Sequence, residues 1–507
     1  MATSEERIAS VSEGVEDGVA LDQPDRKIWL PFHFALAALV VVGVFLFSGG
    51  GSMRDPDIWW HLNNADQIVH GHMPRADVYS WTAKGSPWMD HEWLAEIPYY
   101  FMFKFFGLRG LYATFLLLAF AIELLILYRC YKLTGDIKNS FVVAIFCILL
   151  VVVSFGPRML LFGWLYMLVL LIALDRFKEG KSKAIWVLPP LFLLWVNTHG
   201  SWLIGLAVFG LIGASGLVKF DLGLVHSERW TWSQFKSLIV IGLLCVAVLF
   251  INPYGYKLVT YPYDMAFHQT LNVASIDEWR SVDFHEGRGK VLLILLAAIL
   301  ASALFSKRKW RLEEVLLLGL ALYSGLTYVR FVFMMALLIS PILAARLTLF
   351  PPYNAKIDKP WLNLAVVLII CGIVVYRFPT ESSIQETVAK TYPVDSVQYL
   401  RAHKVQDKVL TYFLWGGYLE RYYPEMPVFI DSRVDIFEYN GTLKDYLDIV
   451  GLKDSLKILD KYNVEYVFMA SSDPFTYFLR NNSGWEVVYE DKVGVLLKRR
   501  NPLPAKG

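Results

Sequence analysis

Eleven stretches of the chain are apolar over nearly their whole length, and polar segments separate them. A helix needs about 20 apolar residues to cross a hydrocarbon core of about 30 Å. Most of the stretches reach or approach that length, so the pattern predicts a polytopic α-helical membrane protein with about 11 transmembrane helices. The stretches lie near residues 28–48, 109–129, 139–155, 158–175, 184–197, 201–218, 236–252, 290–306, 313–328, 330–348 and 361–378.

The end of the chain follows a different pattern. Short segments rich in β-branched and aromatic residues alternate there with segments of helical periodicity, which is typical of a soluble α/β domain. The sequence therefore divides into a polar tail at 1–27, a transmembrane domain at 28–378 and an α/β domain at 379–507. Strands are predicted near 409–414, 427–431, 464–469, 487–489 and 494–498, and helices near 394–404, 442–462 and 473–481.

Composition agrees with a membrane protein. The chain has 507 residues, of which 56% are hydrophobic and only 19% are charged, more apolar surface than a soluble fold of this size hides. Net charge is +2 and no basic stripe occurs, so nothing indicates nucleic-acid binding. The four cysteines lie in or beside apolar stretches without paired spacing, which indicates neither a disulfide framework nor a zinc site.

The lysines and arginines predict the orientation of the chain in a plasma membrane. If the N-terminus is cytoplasmic, the short cytoplasmic loops carry many basic residues and the short outer loops carry almost none, as the positive-inside rule requires. The first large loop, at 49–108, and the α/β domain then lie on the extracytoplasmic side. Two arginines are left on that side in short loops, Arg158 and Arg330.

The first outer loop begins with the sequence Asp-Pro-Asp-Ile-Trp-Trp-His at 55–61. An aspartate followed by proline is a favoured helix start, so we expect a helix from about residue 56 to 70, ending at Gly71. Asp55 is then either an N-cap or a functional acid. Trp59 and Trp60 are expected to anchor this helix at the membrane interface.

Two further side chains of this helix carry candidate chemistry. Asp57 and His61 are four residues apart, so they share one helical face. A carboxylate beside an imidazole suits general acid–base work, whereas the alternative is a solvated polar face. We therefore take Asp57, His61 and Asp55 as the candidate catalytic residues.

A second polar cluster follows at 88–96. Asp90 is a natural N-cap of a helix that is expected to end near Gly107, and Glu92 and Glu96 share one face of that helix. Two like charges at this spacing repel each other unless a cation lies between them or one carboxyl group is protonated. Asp57 and Glu92 are therefore candidate metal ligands, and oxygen ligands of this kind suit magnesium or manganese. No cofactor is certain.

Arg158, Arg330 and His199 are the candidate anion-binding residues. Arginine near bilayer depth is costly, so each arginine should have a partner such as an acid, a carbonyl or a phosphate. The alternative is that each arginine only extends its guanidinium to the water at the membrane surface and binds no ligand. His199 lies in an Asn-Thr-His-Gly turn between two apolar stretches on the same side. A phosphate ligand would explain all three.

The order of a membrane helix, the Asp-Pro-Asp-x-Trp-Trp-His motif, a long outer loop, many further helices and a soluble outer domain resembles the GT-C superfamily of polyprenyl-phosphate-dependent glycosyltransferases. Asp57 stands where that superfamily has its catalytic or metal-binding aspartate after the first helix. Trp415-Gly-Gly-Tyr418 is similar to the acceptor-recognition motif of oligosaccharyltransferase catalytic subunits, without its aspartate. Ile276-Asp-Glu278 is similar to their flexible-loop glutamate.

The resemblance implies an enzyme that moves a sugar from a polyprenyl-phosphate donor to a glycan, lipid or protein acceptor outside the plasma membrane, by an inverting displacement. Asp57 would act as the base, and the arginines would bind the donor phosphate. Acceptor and sugar contacts would come from Asp90, Glu92, Glu278, Trp279 and Trp415.

Two other classes of protein remain open from the residues alone. A lipid-linked glycan transporter or flippase would also use buried arginines, but it should place charged residues at mid-membrane and on both faces of the membrane rather than on one. A membrane-anchored binding protein would use its outer domain, for example Asp431, Arg433 and Asp435, although a salt bridge at a strand end is the commoner role for such residues.

Overall fold

The computed structural model describes residues 29–49, 53–151, 156–347, 349–406 and 408–501. The polar tail predicted at 1–27 lies outside these residues. Each predicted apolar stretch contains a helix, so the helical reading of the pattern is confirmed. These helices are Phe32–Phe47, Trp93–Thr134, Ile137–Val151, Leu160–Lys178, Leu188–Val196, Trp202–Ser215, Trp232–Val248, Gly287–Phe305, Leu312–Thr327, Val332–Ala344 and Pro360–Arg377.

Four of the described helices are long and apolar enough to cross a membrane, Trp93–Thr134, Leu160–Lys178, Gly287–Phe305 and Pro360–Arg377. Most of the remaining apolar helices are between 10 and 17 residues long. The fold is thus helical and compatible with a membrane protein, while the number of membrane spans stays a prediction.

The helix Trp93–Thr134 bends at Gly107, close to where the sequence predicts an end. Gly107 has φ of 62° and ψ of −148°, a conformation that non-glycine residues rarely adopt. The Glu381 carboxylate accepts the backbone N–H groups of Leu108 and Arg109, each at 3.0 Å. Glu381 therefore caps the second half of this helix from the start of the C-terminal domain.

Replacing Gly107 with alanine should destabilise the protein by about 1–3 kcal/mol, since the new residue would hold a strained backbone conformation. A Cβ atom there would also lie 2.7 Å from a Glu381 carboxylate oxygen. Gly71→Ala is the matched control, because Gly71 also has positive φ but faces open space. The thermal midpoint of the purified protein should fall further for Gly107→Ala. An equal shift in both variants would contradict the role of Glu381.

The C-terminal domain contains a four-stranded sheet, built from four of the five strands that the sequence predicts. The strand Val409–Thr411 pairs in parallel with Tyr466–Ala470, and Gly494–Arg499 pairs antiparallel with both Tyr466–Ala470 and Trp485–Glu490. Helices surround this sheet at Glu381–Ala389, Val394–Ala402, Gly416–Tyr422, Val434–Tyr439, Thr442–Val450, Ser455–Lys461 and Pro474–Arg480.

One predicted strand, at 427–431, does not join this sheet. Val428 instead exchanges backbone hydrogen bonds with the first outer loop, donating to the Tyr79 carbonyl at 3.2 Å and accepting from Trp81 at 3.0 Å. The C-terminal domain is thereby fixed to the first outer loop.

An ion pair reinforces this contact. Arg433 bonds Asp431 at 2.5 Å and Asp77 of the first loop at 2.6 Å. All three side chains are buried, and the guanidinium lies over the rings of Tyr79 and Trp88. Removing one partner of such a pair would leave an uncompensated buried charge, so the pair holds the two parts in one arrangement.

Shorter elements complete the described chain. The first-loop helix is Asp57–Val69, close to the predicted 56–70, and two helices, Tyr256–His268 and Thr270–Ser275, form the loop that follows Trp232–Val248. A small three-stranded sheet joins Phe220–Asp221, Val225–Ser227 and Trp310–Arg311. Short 3-10 helices occur at Ser182–Val187, Asp277–Trp279, Val329–Phe331, Ala355–Ile357 and Phe413–Trp415.

Candidate active site

A cavity of about 470 Å³ lies where the first-loop helix, several apolar helices and the C-terminal domain meet. Part of its lining is apolar and comes mainly from three helices, with the side chains of Met159, Leu160, Trp164, Met167, Leu203, Ile204, Phe331, Met334 and Leu337. The other part is polar and ionisable, with Asp57, His61, His91, Glu92, Arg158, His199, Arg330 and Asp435. A cavity with both kinds of lining suits an amphipathic ligand.

Asp57 lies in this cavity at the start of the first-loop helix. The Trp60 indole N–H donates to its carboxylate at 3.1 Å, and the Ser432 hydroxyl also bonds it. Burial and the nearby charge of Asp55 raise the pKa of Asp57 to about 7, against the opposing effect of these hydrogen bonds. A carboxyl group that titrates near neutral pH is well matched to general base catalysis.

Asp55 has a different position from Asp57. Its carboxylate accepts the backbone N–H of Asp57 at 2.9 Å, as expected of a capping residue, and pairs with Arg158 at 2.5 Å. It is absent from the cavity lining. Asp55 therefore holds Arg158 and the helix start, which is the capping alternative that the sequence offers, and its catalytic assignment stays a prediction.

Arg158 has two acidic partners, neither of which the sequence identifies. Besides Asp55, it bonds the carboxylate of Glu278 at 2.6 Å. Burial opposes its charge, but these two carboxylates raise the pKa of Arg158 above its usual value. Glu278 is thus a partner of Arg158 and does not line the cavity.

Arg330 differs from Arg158 because the described part of the chain offers it no ion pair. Its guanidinium stacks on the Trp279 ring, 4.2 Å from the ring centroid. Burial lowers the pKa of Arg330 from its usual value, yet arginine stays protonated in proteins. A desolvated cation that lines a cavity without an acidic partner is a place where an anion would bind.

The two glutamates that the sequence places on one helical face contact the same imidazole. His61 Nδ1 lies 2.6 Å from a Glu96 oxygen, and His61 Nε2 lies 3.4 Å from a Glu92 oxygen. A neutral imidazole carries a proton on only one ring nitrogen, so a neutral His61 can donate to only one of the two carboxyl groups. Burial lowers the pKa of His61 well below its usual value and raises that of Glu92, in agreement with this arrangement.

His199 approaches Glu92 from another element. Its Nδ1 accepts the backbone N–H of Ser201 at 3.0 Å, so Nε2 carries the proton in the neutral ring. Nε2 lies 3.4 Å from Glu92. His199 therefore orients a carboxyl group at the cavity wall, whereas the sequence assigns it to phosphate.

The C-terminal domain supplies cavity residues that the sequence analysis did not assign to the site. Asp435 accepts a hydrogen bond from the Tyr261 hydroxyl at 3.1 Å, and burial raises the pKa of Asp435 to about 6. Ser432 of the same domain and Asn272 of the helix Thr270–Ser275 also line the cavity. Their sequence separation from Asp57 hides this proximity, which the docking of the C-terminal domain on the first loop creates.

Asp90 and Trp415, which the resemblance assigns to acceptor binding, make contacts within the protein outside the cavity lining. Asp90 is fully buried outside the cavity lining, where it accepts hydrogen bonds from Asn64 and from the Glu92 backbone. Trp415 is buried within the C-terminal domain and donates its indole N–H to the Thr391 carbonyl at 3.0 Å. Trp279 does line the cavity, beneath Arg330.

The tryptophans of the first-loop helix are not interface anchors. Trp59 is fully buried against the rings of Tyr392, Tyr418 and Tyr422. Trp60 is buried as well and bonds Asp57. Both side chains therefore fix the first-loop helix to the C-terminal region and help to hold Asp57 in the cavity.

The candidate metal ligands Asp57 and Glu92 both line the cavity. Among the described residues, however, no three His, Cys, Asp or Glu side chains are grouped as a metal site would group them. Magnesium or manganese binding stays a prediction.

Comparison with models of known protein families finds no match for this chain, and a search among curated proteins finds no similar sequence.

Proposed function

We propose that this chain is an integral membrane glycosyltransferase that moves a sugar from a polyprenyl-phosphate donor to an acceptor hydroxyl. One observation supports this above all: Asp57, Arg330, which pairs with no acid among the described residues, and a lining of apolar helices meet in one cavity. An isoprenoid chain would contact the apolar lining, and the phosphate would bind Arg330. In this proposal about eleven helices span the plasma membrane, the N-terminus is cytoplasmic, and the C-terminal domain is extracytoplasmic.

The transfer would be a single displacement. The acceptor hydroxyl oxygen bonds the anomeric carbon of the sugar while Asp57 takes the hydroxyl proton. The bond between that carbon and the phosphate oxygen breaks, and its electron pair leaves with the polyprenyl phosphate. Arg330 stabilises the negative charge that develops on this leaving group. Configuration at the anomeric carbon is inverted.

The proposal is tested by direct assay of transfer. Membranes that contain the protein are incubated with polyprenyl phosphates carrying radiolabelled hexoses or pentoses, and the label in lipid, glycan and protein fractions is followed. We expect label to leave at least one donor only when the protein is present. If no donor in the panel loses label in the presence of the folded protein, the proposed function fails.

Transfer should depend on pH because Asp57 must be deprotonated to act as the base. With a pKa of about 7, its deprotonated fraction falls about tenfold per pH unit below that value. We therefore expect kcat/KM to rise with pH and to level off above about pH 7.

The Asp55→Asn variant tests whether Asp57 is the group that titrates. The charge of Asp55 raises the pKa of Asp57, so its removal should move the midpoint of the pH profile to lower pH. A midpoint that does not move would exclude Asp57 as the titrating group.

A lipid-linked glycan transporter is the second candidate, and Glu123 favours it. This side chain is buried in the helix Trp93–Thr134, and neither carboxyl oxygen has a hydrogen-bond partner in the described structure. Ionisable groups inside membrane helices often mark proton or substrate paths. Movement of labelled lipid-linked glycan across vesicles without cleavage of the sugar–phosphate bond would support transport over transfer.

A further inference from the structure

The part of the cavity wall next to the C-terminal domain contains buried polar atoms without partners. Asn272 is only 5% exposed, and its side-chain oxygen has no hydrogen-bond partner among the described residues. Nδ1 of His91 is unpartnered as well. A buried polar atom that is left unsatisfied costs free energy, so the Asn272 oxygen is suited to accept a hydrogen bond from a ligand, and His91 Nδ1 to donate or accept one according to its tautomer.

The neighbouring side chains have complementary chemistry. Asp435 is 8% exposed and lines the cavity together with Tyr261. The Tyr261 hydroxyl donates a hydrogen bond to the Asp435 carboxyl group. Tyr261 lies against His91, with ring centroids 4.6 Å apart, and the Trp88 ring also faces the cavity. Flat rings beside an amide and a carboxyl group offer both an apolar platform and directed hydrogen-bond acceptors.

The C-terminal domain fixes this wall in place. The Glu438 carboxylate accepts the backbone N–H groups of Leu271 and Asn272 at 2.9 and 2.8 Å. These bonds attach the short helix Thr270–Ser275 to the domain that also carries Asp435. The position of Asn272 is therefore set by the same domain that supplies the carboxyl group.

We propose that Asn272, Asp435, Tyr261 and Trp88 form a subsite for a polyhydroxylated ring, a sugar unit, separate from the phosphate contact at Arg330. Ring hydroxyls donate to the Asn272 oxygen and the Asp435 carboxyl group, and the apolar C–H face of the ring packs on the aromatic side chains. This inference rests on the proposed function for its role in transfer, and it assigns sugar recognition to residues on or held by the C-terminal domain.

The test uses the full-length protein in lipid nanodiscs and two separate probes. Methyl glycosides of common hexoses and pentoses report the sugar subsite by saturation-transfer NMR, and farnesyl phosphate reports the phosphate contact. We expect at least one glycoside to bind. Asn272→Leu and Asp435→Asn should each weaken its binding about three- to tenfold, which is the loss of one hydrogen bond. Farnesyl phosphate binding should stay unchanged in both variants, which also shows that they fold.

Asn481→Leu is the matched control, because Asn481 is exposed on the C-terminal domain and does not line the cavity. It should leave glycoside binding unchanged. If no glycoside binds the wild-type protein, or if both cavity variants bind it as well as the control does, the subsite is overturned. Loss of farnesyl phosphate binding in the wild-type protein would instead count against the proposed function.

The sugar ring that binds this subsite could belong to the donor or to the acceptor. A farnesyl-phosphate-linked hexose distinguishes the two. If it displaces the glycoside, the subsite holds the sugar of the donor. If both bind together, the subsite holds the acceptor. Either result supports recognition of a sugar ring at this wall.

Discussion

Asp57→Asn should lower the rate of sugar transfer by about 10²- to 10⁴-fold, the usual contribution of a positioned general base. Asparagine keeps the size of the side chain and can still accept the Trp60 indole hydrogen bond, which measures 3.1 Å in the wild-type protein. It cannot take the acceptor proton. The loss should appear in kcat, because the proton moves only as the new bond forms.

Asp66→Asn is the control for this substitution. Asp66 lies on the same first-loop helix, its side chain is 48% exposed, and it does not line the cavity. The control should transfer sugar at the wild-type rate, while Asp57→Asn should bind farnesyl phosphate as the wild type does. Wild-type transfer by Asp57→Asn in the same membranes would remove Asp57 from the mechanism.

The sequence was sufficient to predict the helices because their apolar stretches are long. The first-loop helix begins at Asp57 and ends at Val69, within one residue of the prediction, since Asp55-Pro56 and Gly71 mark its ends chemically. The bend at Gly107 was likewise marked by a glycine. The predicted strand at 427–431 was wrong because alternation predicts an extended segment but does not identify its partner, here the first outer loop.

The candidate site was predicted in part for a similar reason. Asp57 and His61 lie four residues apart on one helix, so helical periodicity places them together, while Glu92 reaches His61 from the start of the next long helix. By contrast, Tyr261, Asn272 and Asp435 reach the cavity only through the docking of the C-terminal domain. Long-range contacts of this kind leave no periodic signal in a single sequence.

The tryptophans of the first-loop helix show the limit of composition-based reasoning. Indoles favour membrane interfaces, but they also pack well in buried aromatic clusters. Trp59 packs on Tyr392 and Tyr418, and Trp60 bonds Asp57. The partners are more than 300 residues away for Trp59, so the choice between the two environments required the fold.

Arg330→Gln should lower kcat/KM for a polyprenyl-phosphate sugar by about 10²- to 10³-fold, the usual effect of losing one group that stabilises developing negative charge. The wild-type guanidinium has no acidic partner among the described residues and rests on Trp279. Its charge is therefore available to the ligand, unlike that of Arg158, which Asp55 and Glu278 neutralise. Farnesyl phosphate binding should weaken in the same variant.

Two further variants sharpen this expectation. Arg330→Lys keeps the charge but loses the planar stack on Trp279, so its kcat/KM should lie between those of the wild type and Arg330→Gln. Arg280→Gln is the control, because Arg280 follows Trp279 in the chain, is 67% exposed and pairs with Asp277. It should bind farnesyl phosphate as the wild type does. If Arg330→Gln and Arg280→Gln behave alike, the phosphate must bind elsewhere, and Arg158 would then have to exchange Glu278 for the ligand.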